Sequence, residues 1–247
     1  PHLGDEEGTL KALINRADSA LASRDFEGGF KAVDEGRTFV ETRIRSQAEE
    51  IVGDLGIAIQ MGLDSGVNIA ALEPIHRELN GLLAGGRIGE IVAGRQKAVA
   101  ALAAVTGSLF ASVKGRIATA QGLKIDVDEM ADLLRRARMA IGVQSYHDGL
   151  KMLAESNEQA TRATAMHRQA YNAIASAAAF VADAKKRNVD VSKVVETLVD
   201  AKKAFERLDY ERALKLASEA RAETDKLTIL YSSAQKILSS RGRIELA

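Results

Sequence analysis

A helical pattern that recurs four times without a gap constrains this chain more than any other feature. Its anchors are Phe26, Ile88, Tyr146 and Tyr210, separated by 62, 58 and 64 residues. Sixteen residues before the anchors stand Leu10, Leu72, Met130 and Val194, and thirteen before stand Leu13, Ile75, Leu133 and Thr197. Twelve before come Ile14, His76, Leu134 and Leu198; nine before, Ala17, Leu79, Ala137 and Ala201; five before, Leu21, Leu83, Ile141 and Phe205. The offsets step by three, one, three and four, which is one face of an α-helix. Four short amphipathic helices are predicted, each closing at an anchor.

A longer helical pattern follows each anchor: about Phe26–Gly62, Ile88–Gln121, Tyr146–Arg187 and Tyr210–Arg241. Inside them Ile44, Ala48, Ile51, Leu55 and Ile59, then Val99, Leu102, Thr106, Leu109 and Val113, keep coiled-coil spacing. Gly62 or Gly66, Gly122 and Asn188 are suited to the left-handed stops of these helices. The triplets Val67-Asn68-Ile69, Ile125-Asp126-Val127 and Val189-Asp190-Val191 precede copies two to four. Their central side chains can accept a backbone N–H, and Asp126 with Glu129 has capping-box spacing. The first copy has Asp5-Glu6-Glu7 there instead. Glycines within the long segments (Gly36, Gly53, Gly56, Gly94, Gly107, Gly115) point to close packing, with a kink as the alternative.

Composition agrees with a helical chain. Of 247 residues 46% are apolar, yet aromatics are only 4% and there are two prolines, Pro1 and Pro74. Basic and acidic residues balance at 34 each, which argues against a general nucleic-acid or membrane-surface binder. The absence of cysteine removes disulfides and thiolate metal sites and fits a cytoplasmic location. No run of about 18 consecutive apolar residues occurs, so no direct membrane insertion is expected. The chain starts at Pro1 rather than Met, as a processed protein or an excised fragment of a longer or membrane-anchored one would.

A short helix of about 17 residues spans roughly 25 Å and a long one of about 35 roughly 50 Å. Each short helix therefore covers half of its long partner, and the next short helix covers the other half. The pattern looks like a spectrin-type three-helix repeat with shortened helices. The segment from Val191 to Ala222, with Ala201-x-x-Ala204-Phe205 and Asp209-Tyr210-x-x-Ala213-Leu214, also resembles tetratricopeptide-like repeats. The resemblance implies a scaffold or interaction role and carries over no catalytic residue. The expected fold is all-α: four tandem repeats (1–66, 67–124, 125–188 and 189–247) in an elongated rod, with a compact eight-helix bundle as the alternative.

The residues that could carry chemistry read as structure. His76 occupies a core-facing offset, and His147 and His167 lie twenty residues apart on one helix, roughly 30 Å by helical rise, too far to share a metal. Neither His-Glu-x-x-His nor paired Glu-x-x-His occurs, and Glu49-Glu50 and Asp128-Glu129 look like solvated faces. Gly28-Gly29 and Gly85-Gly86-Arg87-Ile88-Gly89 fall at turns and lack the Gly-Lys-Ser/Thr ending of a phosphate loop. Arg135-Arg136-x-Arg138, Lys185-Lys186-Arg187 and Arg241-x-Arg243 are basic clusters, the last two near helix C-termini. Phe26, Tyr146 and Tyr210 are expected in the core.

No catalytic, cofactor or metal site is therefore expected. The expected function is a non-enzymatic scaffold or spacer for protein partners. A helical module holding a small apolar ligand is the alternative. The last long helix has no following short helix to cover it from about Leu227 to Leu246. Leu230, Tyr231, Ile237 and Leu238 are the expected partner interface, through dimerisation or a continuing array.

Overall fold

The structure, a computed structural model, describes residues 3–244, and side chains over 7–238. Among these residues there are eight α-helices and no strand: α1 (Leu3–Ala22), α2 (Phe26–Ser65), α3 (Leu72–Gly85), α4 (Ile88–Gly122), α5 (Asp128–Gly142), α6 (Tyr146–Lys186), α7 (Ser192–Glu206) and α8 (Tyr210–Ile244). The protein is all-α. Short helices of 20, 14, 15 and 15 residues alternate with long ones of 40, 35, 41 and 35. Every long helix starts at its sequence anchor.

The turns explain why the helices stop where they do. Arg24, Gly86, Gln144 and Leu208 each stand two residues before an anchor, and all four are left-handed, with φ between 59° and 66°. At three of these turns the next N–H closes a six-residue loop: Asp25 to Ala20, Ser145 to Ala140 and Asp209 to Ala204, at 2.8–3.0 Å. That bond satisfies a carbonyl left open at the helix end. The turns after α2, α4 and α6 repeat the device with Gly66, Lys124 and Asn188 in the left-handed region. Gly122 is therefore not the left-handed stop of α4; it is the last helical residue, and Lys124 takes the strained position.

Asn68, Asp126 and Asp190 each accept the N–H two residues on, at 3.1 Å. Asp190 also accepts the Ser192 hydroxyl at 2.7 Å, and these bonds hold its carboxyl below the usual range. The capping box expected at Asp126 and Glu129 does not form. Asp126 bonds a nearer N–H, and Glu129 accepts from the Gln159 amide at 3.3 Å.

The residues fall into two compact units, 1–114 with 132–155 and 115–131 with 156–247. The helices α4, α5 and α6 contribute to both, so the breaks predicted at 66/67, 124/125 and 188/189 fall in turns rather than between units. In the first unit α1 lies on the front of α2, and the back of α2 packs on α3. Leu55, Leu72, Leu79 and Ile91 are fully buried there. Gly62 is needed at this junction: a Cβ would stand 2.1 Å from Ile69 Cγ2. Gly94 faces Leu79 and Leu82 closely enough to crowd a Cβ, whereas Gly53, Gly56, Gly107 and Gly115 have open space beside them. Close packing thus explains only some of the long-helix glycines.

In the second unit the back of α6, all of α7 and the front of α8 share one core. Ala170, Ala177, Ala201, Ala213 and Ala217 line it, with Ile174, Val194 and Leu198 as larger members. Small side chains let helix axes approach toward the lower end of the ordinary 8–10 Å range. This is why a chain with few aromatics can still build a dry core.

By length and composition α4 could cross a membrane, with a mean hydropathy of 1.5 over its most apolar window. The reason is an uncharged run from Ala98 to Val113. One face of that run, Ala98, Leu102, Leu109 and Val113, is core.

Candidate interaction surfaces

Large apolar side chains are exposed singly or in pairs along the chain, Leu63, Met139 and Val143 among them, and in groups on two surfaces. The first is the C-terminal half of α8. Leu230 is 66% exposed and Leu238 68%, and Ile237 and Ile229 are exposed beside them. Tyr231 differs: it is half-buried and packs, with Leu227, against the α6–α7–α8 core. Of the four residues singled out in the sequence, three therefore lie on open helix surface and one belongs to the bundle edge.

The second surface lies between α1 and α2. Leu10, Leu13, Ile14 and Ala17 on α1 face Ala32, Val33 and Val40 on α2 across a groove of about 620 Å³. Ile14 is 52% exposed and Val33 60%. Arg37 and Glu41 line the groove and pair at 2.8 Å, and Arg16 on α1 pairs with Glu35 on α2 at 2.5 Å. Phe26 and Phe30, in the first turns of α2, are exposed as well. The expectation that Phe26 is core is thus overturned, because no third helix lies over its pair among the described residues. Its counterparts Tyr146 and Tyr210 are half-buried. Tyr210 stacks edge-on against Phe205 and His167, with ring centres 5.4 Å apart in both contacts, and burial pushes its hydroxyl pKa up.

Sequence reading missed this groove. The signal was present: Ile14 sits at the same offset as Leu198, and Val33 at the same offset as Leu153 and Ala217. Both partners of Val33 in this register are fully buried or nearly so. The offsets show that a residue faces a neighbour, but they do not show that the neighbour is there.

The remaining polar features are structural pairings. Arg135 bonds Asp132 at 2.6 Å, Arg187 bonds Asp183 at 2.6 Å, and Arg138 lies over the Phe110 ring. These account for much of two basic clusters without a ligand. His76 Nε2 lies 3.3 Å from the Asn80 amide. His147 Nδ1 lies 2.8 Å from Asp54 Oδ1, joining residues 93 apart in the chain. Asp54 is 1% exposed, and burial raises its carboxyl pKa against the opposing pull of His147. Among the described residues no group of three His, Asp or Glu converges as a metal site.

The protein is all-α, with alternating short and long helices and, among the described residues, exposed apolar groups on α1–α2 and at the end of α8. Neither a protein-family model nor a curated protein nor a solved structure matches the chain.

Proposed function

We propose that this protein is a non-enzymatic scaffold or spacer, built as a spectrin-like array of staggered three-helix units and binding protein partners through helix faces. One observation carries the reading: α6, α7 and the front of α8 share one buried core, while large apolar residues are exposed in groups on α1–α2, beside an open groove, and on the end of α8. Exposed apolar patches of this kind mark interaction sites, and helical arrays offer extended faces rather than enclosed pockets.

Solution X-ray scattering on a monomeric sample tests the spacer. A compact chain of this length has a radius of gyration of roughly 18 Å. The staggered array should give about twice that value, from helical rise alone. A compact value would overturn it. The groove volume favours one competing reading, a small apolar ligand between α1 and α2, since such sites span roughly 300–1,000 Å³. A ligand-induced rise in melting temperature, lost in Val33→Lys, would support that reading.

A further inference from the structure

The α1–α2 groove and the end of α8 are both apolar and exposed. We propose that the C-terminal half of α8, through Leu230 and Leu238, seats in the α1–α2 groove of a second copy of this chain. This deepens the scaffold reading and rests on it: the partner is the chain itself, joined head to tail.

The first support is positional. In the fourth pair, α7 and the front of α8, the apolar offsets are closed by the back half of the preceding long helix, α6. There Leu198 and Ala201 are buried, whereas Ile14 and Ala17, their counterparts on α1, are not. On the long helix Val40 is 38% exposed, while its counterparts Leu102, Ala160 and Thr224 are almost fully buried. The α1–α2 pair thus shows the face that a long helix back half covers elsewhere in this molecule.

The second support comes from the occupant. The helix α6 closes over its pair with Ala170 and Ile174, which stand 24 and 28 residues after the anchor Tyr146. At the same distances after Tyr210, α8 carries Ala234 and Leu238. The small–large spacing is kept at these two positions and Leu238 is exposed, while the next α6 core positions, Ala177 and Val181, correspond to Arg241 and Glu245.

Charge is the third. Residues 1–41 hold nine acidic and five basic side chains, a net charge of −4. Residues 227–246 hold Lys236, Arg241 and Arg243 against Glu245, a net charge of +2; Lys226, just before them, is paired with Glu223. Complementary fields of this kind favour encounter and fix orientation. They also disfavour pairing of two α8 ends, which would bring like charges together. A head-to-tail contact between two copies leaves one groove and one tail unoccupied, so assembly can continue.

Light scattering after size exclusion tests this on the whole chain. The wild-type mass should rise above 26.4 kDa with concentration and fall back with added salt. The groove variant Ile14→Lys/Val33→Lys and the tail variant Leu230→Lys/Leu238→Lys should each run as single chains. Mixed in equal amounts they should form a one-to-one dimer, because each retains the half that the other lacks. Assembly of the groove variant by itself would show α8-to-α8 pairing and overturn the proposal, as would a mixture that stays monomeric. A monomeric wild type also overturns it without touching the scaffold reading, which scattering tests by shape.

Should a lysine variant lose helicity, cysteine cross-linking replaces it, since the chain has no cysteine of its own. Val33→Cys and Leu238→Cys chains mixed under mild oxidation should give the mixed disulfide. Homodimers alone would again refute head-to-tail docking.

Discussion

The first helix pair, α1 with the front of α2, and the fourth, α7 with the front of α8, share register, turn geometry and apolar offsets but differ in burial. Ile14 is half in water, and Leu198 at the same offset is 7% exposed. Both pairs have the same local devices: a left-handed residue two before the anchor, and an aspartate at the helix start, Asp25 or Asp209, that accepts the N–H three residues on. What separates them is the back half of α6, which lies over the fourth pair. Two helices suffice to define an amphipathic face, and a third is needed to dry it.

The largest effect that could break this comparison is a truncation in each pair. Leu198→Ala should cost about 2–4 kcal/mol, as cavity-forming core changes do. Ile14→Ala should cost under about 1 kcal/mol, because half of its surface is already hydrated. Urea unfolding of the two variants under conditions that keep the chain monomeric gives both values. Equal losses would mean that the first pair is sealed in solution.

A glycine contrast sharpens the same point for the closed sets. Gly62→Ala should destabilise by roughly 1–3 kcal/mol, since its Cβ would collide with Ile69 where α2 meets the turn into α3. Gly53→Ala on the same helix has open space and should instead stabilise by up to about 1 kcal/mol. Thermal melts of the two variants should shift in opposite directions.

Asp54 and His147 supply a pH test. Burial raises the Asp54 carboxyl pKa above its model-peptide value of 3.8, so the folded chain holds a proton there that the unfolded chain has released. Folding stability from this group is therefore lost as pH rises from 3.8 through the raised folded pKa. His147 and Lys151 oppose that loss, and Glu50 adds to it. Asp54→Asn lacks the step, so its stability relative to wild type should improve across that window. Urea midpoints measured from acid to neutral pH decide the matter, and parallel curves for the two chains would contradict the assignment.

The smallest effect concerns the turns, where the compared pairs are alike. Lys124 and Leu208 hold left-handed backbone that costs a residue with a side chain about 1 kcal/mol. Lys124→Gly and Leu208→Gly should each gain up to that amount in urea unfolding, and neither should alter association.

Much of the fold was legible in the sequence. The eight helices, their alternation and the positions of their turns follow from 3.6-residue periodicity and from side chains that bond nearby backbone. Leu230, Ile237 and Leu238 were legible as apolar positions at helical spacing on the last long helix, and they are exposed in the structure. These are local properties, set within a few turns of chain, and the sequence by itself determined them. The tertiary structure decided which of several identical offsets became core. It left Phe26, Ile14 and Val33 in water, drew Tyr231 onto the bundle edge, and joined Asp54 to His147 across 93 residues. Burial depends on which helix lies opposite, and an amphipathic pattern specifies the face that seeks a partner without specifying whether this chain supplies one.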